Sequence, residues 1–454
     1  MIINLKVAVA AFLMLGIATA AQATPKIQHW QAPSGAQVYF VEDHGLPMLD
    51  VAVDFPAGSA FESADKSGLA ALTHGLLALG SEGMGEDAIA RKMADIGAEM
   101  GGNFDADRSS VTLRTLSSKN ERDAALSILA LVLQHPLFPE SVLSREKTRL
   151  IASLKEAETQ PESIAGKAFG KAVFGTHPYG QPASGDVATV DKLQRSDLVD
   201  FYTSHYGAKS AVVAIMGDVS RAKAEEIAQI LTSQLPRGGA STEIPPVAKL
   251  SSASILRIPH PATQSHILIG GPGVARKDAD YFPLYVGNYI LGGGGFVSRL
   301  MHEVREKRGL AYNVYSYFIP MQQPGAFQIG LQTKKAQADE ALLLVNKILR
   351  EFIAGGVTEK ELQAAKQNII NGFPLRIDSN KKILEYLSVI GFYHLPLTYL
   401  DDFSAQINKV TAAEIHAAFK RKVNPDLLAT VVVGAPEEKA KAGETAPAAE
   451  GAGK

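Results

Sequence analysis

The chain of 454 residues contains no cysteine. That excludes disulfides and a lipid-bearing cysteine behind a leader, and it leaves any exported form dependent on its hydrophobic cores. A surplus of positive charge is missing too: 45 Lys and Arg against 47 Asp and Glu give a net charge of -2, so there is no basic footprint for nucleic acid. Hydrophobic runs are short. The longest obvious one, Val7 to Ala18, is too brief for a comfortable membrane span. The glycine run Gly292–Gly295 lacks the GxxxxGK[ST] pattern and the strand–loop–helix setting of a phosphate loop.

What is present begins with a leader. Lys6, the apolar run and the small-x-small site Ala21-Gln22-Ala23 predict a signal peptide over 1–23, cleaved after Ala23, and hence a periplasmic protein. The remaining length exceeds what one core usually supports, so at least two domains are expected.

Two strands, Val38–Val41 and Leu49–Phe55, flank a turn at Asp43-His44-Gly45 and read as a pair. Helices are expected over 66–79 and 86–96, then strands over 98–104, with a bend at Gly101-Gly102, and 109–116. A long helical stretch follows, then a strand over 210–216 and a helix over 222–235. The order then repeats: strands at 254–258 and 265–270, helices at 281–291 and 296–307, strands at 311–318 and 326–332, long helices. DLVDFYTSHYGAKSAVVAIMGD closes one half and EIHAAFKRKVNPDLLATVVVGA the other. The reading is an internal duplication: a first domain over 24–236, a linker over 237–252, a second domain over 253–436 and a disordered tail over 437–454. Strand pairs joined to helix pairs indicate an α+β layer, with helices on one face of a mostly antiparallel sheet.

One stretch carries chemistry. In RLMHEVREKRGLAYNVYSYF, a basic helix end runs into Gly309 and then into an alternating aromatic strand. A helix-to-strand reversal there sets Arg305 beside Tyr312, and a guanidinium and a phenol together can donate hydrogen bonds to one carbonyl oxygen. On residue types alone, the two also read as a surface arginine and a packing tyrosine. With the preceding LGGGGFVS, the string resembles the second-half signature of the M16 (pitrilysin-type, inverted zincin) peptidase family. The resemblance implies two homologous α+β halves facing each other across a cavity, with Arg305 and Tyr312 holding a substrate carbonyl opposite a zinc ion. It covers about Val38 to Gly434.

Active members of that family carry HxxEH on a first-half helix, which places two zinc-binding histidines and a general base on one face. Aligned on Gly68-Leu69-Ala70, those positions are Ala71, His74 and Gly75, and the third ligand position is Ser153, seven residues after Glu146. No HxxEH or HExxH occurs in the chain. No metal is therefore expected in this chain, and His74 reads as a hydrogen-bonded or cavity-lining side chain. The strand carrying Gly102, Asn103, Phe104 and Asp105 matches the place where the family docks an extended peptide by strand addition; a bend with no ligand is the alternative.

With the zinc half erased and the Arg/Tyr half intact, the resemblance implies a non-catalytic subunit in the periplasm. Its partner would be an HxxEH-bearing M16 subunit that holds the zinc, and its substrate a peptide. The competing readings are a structural homologue kept for assembly and a free-standing peptide binder.

Overall fold

The computed structural model describes residues 26–239 and 243–435. The leader over 1–23, the tail over 437–454 and three linker positions lie outside the described residues.

The first half forms a six-stranded sheet in the order β1-β2-β6-β3-β5-β4. Its strands are β1 Gln28–Gln31, β2 Gln37–Glu42, β3 Met48–Phe55, β4 Glu99–Phe104, β5 Ser109–Leu116 and β6 Val212–Gly217. The second half forms a five-stranded sheet in the order β7-β11-β8-β10-β9, from β7 Ser254–Pro259, β8 Gln264–Pro272, β9 Ala311–Phe318, β10 Ala326–Lys334 and β11 Ala429–Ala435.

Apart from β1, the two topologies are the same. In each, the last strand of the half lies parallel to the first and antiparallel to the second, and the third strand is at the edge. β6 ends at Gly217 and β11 carries Gly434 near its end, both with positive φ. The repeat read from the sequence is thus a repeat of strand order and of backbone conformation.

One expectation needs correction. β2 and β3 are not a pair, because β6 is inserted between them. β6 is VVAIMG and buried throughout, so it belongs at the centre of the sheet, whereas a direct β2–β3 hairpin would leave it at an edge. A shorter hairpin, β1 with β2, was not read from the sequence.

Each sheet has its own helices on one face and a helix of the other half on its second face. The helix Pro161–Phe174 sets Ala165, Phe169 and Val173 against Ala429, Val431 and Val433 of β11. Reciprocally, Asn380–Phe392 packs on β2, β3 and β6, where Tyr39, Ala52, Val212, Ala214 and Met216 share a core with Ile383, Leu384, Leu387 and Ile390. A Cβ at residue 391 would stand 2.5 Å from Val212 Cγ1 and 2.8 Å from the Tyr39 ring, so only glycine allows this approach. The exchange explains why β3 is buried along nearly its whole length.

Polar groups close the seam between the halves. Asp107, in the β4–β5 turn, is fully buried and accepts from the Tyr179 hydroxyl at 2.6 Å, the Tyr393 hydroxyl at 2.8 Å and the Gln322 amide at 2.7 Å. The loop His177-Pro178-Tyr179-Gly180 supplies one of these donors. Arg108 beside it donates to Ser388 Oγ and approaches the buried Asp54 carboxylate at 3.6 Å. No described helix is long and apolar enough to cross a membrane.

Candidate functional site

Arg305 and Tyr312 meet as the spacing predicts. The guanidinium carbon lies 4.8 Å from the centre of the Tyr312 ring and 5.0 Å from that of Phe296, so the cation is held between two aromatic side chains. Such contacts are worth about 0.5–1 kcal/mol at an exposed site. Their weight here is positional, because they fix a long side chain that has no other anchor. Among the described residues Arg305 has no carboxylate partner and no hydrogen-bond acceptor. Its neighbours differ: Lys307 and Arg308 both bind Glu303, at 2.7 and 2.9 Å, and hold its carboxyl down at about 2. Glu303 is thereby occupied and, among the described residues, the adjacent Glu306 forms no ion pair with Arg305, whose donors stay open.

Two backbone irregularities build this arrangement, and both differ from the regular helix and strand expected. The segment over 296–307 is not one α-helix. It is a 3-10 turn at Gly295–Val297, a break at Ser298 and a π-helical stretch at Met301–Glu306, closed by the Lys307 amide bonding back five residues to the His302 carbonyl. The preceding helix Tyr281–Asn288 likewise runs into a π turn at Tyr289–Gly293. Such wide turns carry an extra residue and redirect the side chains that follow. The break at Ser298 leaves Phe296 in the separate 3-10 turn, 63% exposed, where it folds back onto Arg305.

In β9 the register slips: Val314 faces Leu331 while Ala311 faces Thr333, so β9 has one residue more than β10 in this interval. This bulge at Tyr312 and Asn313 turns both outward between the buried Ala311 and Val314, and Tyr312 is 80% exposed. Bulges often re-aim a side chain in this way.

The positions that align with a zinc motif do not fit a metal. The helix Leu69–Leu76 is present, with Leu69, Leu72 and Leu76 buried and Ala71, His74 and Gly75 on the other side. Gly75 is exposed with open space around it, and Ser153 is exposed on the helix Glu140–Ala157. Glu146 is taken by Arg145 and Arg149. His74 is engaged as well: its Nδ1 lies 2.7 Å from Ser109 Oγ, which accepts from the Tyr206 hydroxyl at 2.9 Å, and its ring stacks on Phe104. Burial lowers its pKa and keeps the imidazole neutral. His74 is therefore the hydrogen-bonded side chain read from the sequence. Among the described residues no group of three His, Asp or Glu is placed to hold a metal ion.

β4 is a sheet edge, paired only with β5. Gly101-Gly102 does not interrupt it, contrary to the bend expected. A Cβ at residue 102 would stand 2.3 Å from the Ser110 carbonyl and 2.8 Å from the His74 ring, so the glycine serves close packing of strand on imidazole. Gly102 and Asn103 are exposed and Phe104 is half-buried on His74. Asp105 lies beyond the strand, where Oδ1 accepts from the Asp107 and Arg108 amides and Oδ2 from Arg108 Nε. Among the described residues no hydrogen bond, ion pair or ring contact joins Arg305 or Tyr312 to β4 or to the helix Leu69–Leu76.

Sequence reasoning missed Phe296, which LGGGGF hints at only as an aromatic after a glycine run. It also missed Glu62, which accepts from the Gly68 and Ala70 amides at 2.8 and 2.7 Å and so caps the helix that bears the degenerate motif. Nothing local marks a residue seven positions before the first helical residue as its cap.

Comparison with known proteins agrees with this geometry. Residues 38–187 match the family model described as Insulinase (Peptidase family M16), and residues 192–369 the one described as Peptidase M16 inactive domain. A crystal structure of a peptidase M16 inactive domain from Pseudomonas fluorescens is 38% identical, with a TM-score of 0.87, covering 90% of this chain and 98% of that one. A Helicobacter pylori protein described as a non-peptidase homolog is 27% identical over 413 residues, 90% of this chain and 94% of its own length. The crystal structure of a protease from Helicobacter pylori, 19% identical, shares the fold with a TM-score of 0.82 over 91% of this chain and 100% of that one.

Proposed function

Since this chain belongs to the M16 peptidase family and is a degenerate member of it, we infer that it is the zinc-less subunit of a heteromeric peptidase in the periplasm. Its partner is an M16 chain that bears HxxEH and supplies the zinc and the general base. This chain contributes Arg305 and Tyr312 and, along the open edge at Gly102, Asn103 and Phe104, backbone groups to which an extended peptide adds as a strand.

The observation that carries the reading is the state of Arg305. It is positioned by two aromatic rings and left without an anion, although glutamates stand two residues before it and one after. A scaffold needs neither feature. With the substrate carbonyl seated between them, the guanidinium and the Tyr312 hydroxyl donate hydrogen bonds to its oxygen as negative charge develops there. Removing one donor of this kind typically costs about a hundred- to a thousandfold in turnover. Among the described residues no hydrogen bond, ion pair or ring contact joins the pair to this chain's own degenerate helix, which favours action on a site in another molecule. Asp105, the fourth residue expected along this edge, would continue the strand next to the turn in which its carboxylate accepts from the Asp107 and Arg108 amides.

The test is co-expression with an HxxEH-bearing M16 chain encoded nearby. Peptide hydrolysis that requires both chains supports the reading. A partner fully active alone, or a stable complex without hydrolysis, leaves this chain an assembly homologue.

A further inference from the structure

The halves enclose a second feature, apart from the Arg305 surface. A cavity of about 400 Å³ opens on the seam, walled by Lys209 of the first half and by Arg276, Lys277 and His394 of the second, over Phe392 and Tyr393. No carboxylate stands in its lining, and among the described residues none of the three cations has an ion pair. Arg276 lies over the Tyr393 ring at 5.2 Å, and its Nε is shut off from solvent without a hydrogen-bond acceptor. A buried donor left unpaired is costly, as is the convergence of like charges.

The surrounding charges do not relieve this. Tyr393 points its hydroxyl at Asp107, whose two oxygens already accept three donors. An adjoining cavity shares Lys209 and adds another cation, Arg237. Arg276, Lys277 and His394 also border a neighbouring cavity that holds Asp278, bound by Lys422, and Asp402, and among the described residues neither carboxylate forms an ion pair with them. His394 has a left-handed backbone, φ 49°, which is uncommon for a residue with a side chain and recurs at ligand sites. Burial and the charge of Lys277 lower its pKa.

The geometry points to a binding site for a small multivalent oxyanion, phosphate or carboxylate in type, gripped by Arg276 and Lys277 of one half and Lys209 of the other. The volume suits a ligand at the small end of the usual range. The anion screens the three cations from one another and ties the halves together, so its binding stabilises the fold. This inference does not depend on the subunit reading, since no residue is shared with the Arg305 site.

The experiment is calorimetric titration of the full mature chain, at low salt, with sodium pyrophosphate, tripolyphosphate and citrate, alongside thermal unfolding in each. Saturable one-site binding with a raised Tm is expected for at least one of them. Lys209→Ala and Lys277→Ala, both at exposed positions, should each weaken it about tenfold, the loss of one charge-assisted contact. Arg276→Gln should weaken it further; if that variant does not fold, the lysine variants still decide. Lys381→Ala, an exposed lysine elsewhere, should leave affinity unchanged. Preference for the phosphates over citrate assigns the ligand type, and the reverse preference assigns a carboxylate. Absence of saturable binding with all three probes, or an equal loss in Lys381→Ala, overturns the site.

Discussion

The Tyr393 hydroxyl donates to Asp107 Oδ2 at 2.8 Å, joining residues 286 positions apart in the chain and on opposite halves of the molecule. Tyr179 and the Gln322 amide reach the same carboxylate, so one buried side chain satisfies donors from both halves. Removing it strands all of them. Asp107→Ala should cost about 3–5 kcal/mol and Tyr393→Phe about 1–2 kcal/mol, measured by urea unfolding of the mature chain. Equal effects of the two would show that the carboxylate is not the hub.

The exchanged helix gives a second expectation. At Gly391 any larger side chain meets Val212 and Tyr39, so Gly391→Val should destabilise by about 1–3 kcal/mol through overpacking. The same change at Gly75, which has open space around it, should have a smaller effect, limited to helix propensity.

A pH dependence follows from Glu62. Burial pushes its pKa up to about 7 from 4.5, despite the Gly68 and Ala70 amides that favour the ionised form. A raised carboxyl binds its proton more tightly folded than unfolded. Its stabilising contribution is full below pH 4.5 and is lost as pH rises through 7. Wild type should lose about 2–3 kcal/mol between pH 4.5 and 8 from this group, at 1.36 kcal/mol per unit. The difference between wild type and Glu62→Gln isolates it from the histidines that titrate in the same range. A difference constant across that window would contradict the assignment.

Much of this was legible in one dimension because it is local or periodic. The duplicated strand order follows alternation and spacing, the loss of zinc ligands is a matter of residue identity, and Arg305 meets Tyr312 because seven residues span one reversal. The rest depends on register and on distance along the chain. Periodicity cannot reveal a π turn or a bulge, since each inserts one residue without changing composition; both were needed to turn Arg305 and Tyr312 to the same surface. The insertion of β6 between β2 and β3, the helix exchange and the Asp107 hub join segments 72 residues apart or more, and no local pattern encodes them.

The absence of a metal can be tested without a partner. Mature chain incubated with zinc and freed of excess should retain far less than one ion per molecule, and His74→Ala should not change that figure, because the His74 imidazole is bonded to Ser109 and stacked on Phe104. A stoichiometric ion that is lost in His74→Ala would overturn the reading of Ala71, Gly75 and Ser153.

Turnover by the two-chain complex tests most directly the proposal that Arg305 and Tyr312 act on a carbonyl held in another chain's active site. Arg305→Ala and Tyr312→Phe should each lower kcat about a hundred- to a thousandfold while the affinity between the chains and the Tm of this one stay unchanged. Unaltered kcat in both variants, with the complex intact, would contradict the account.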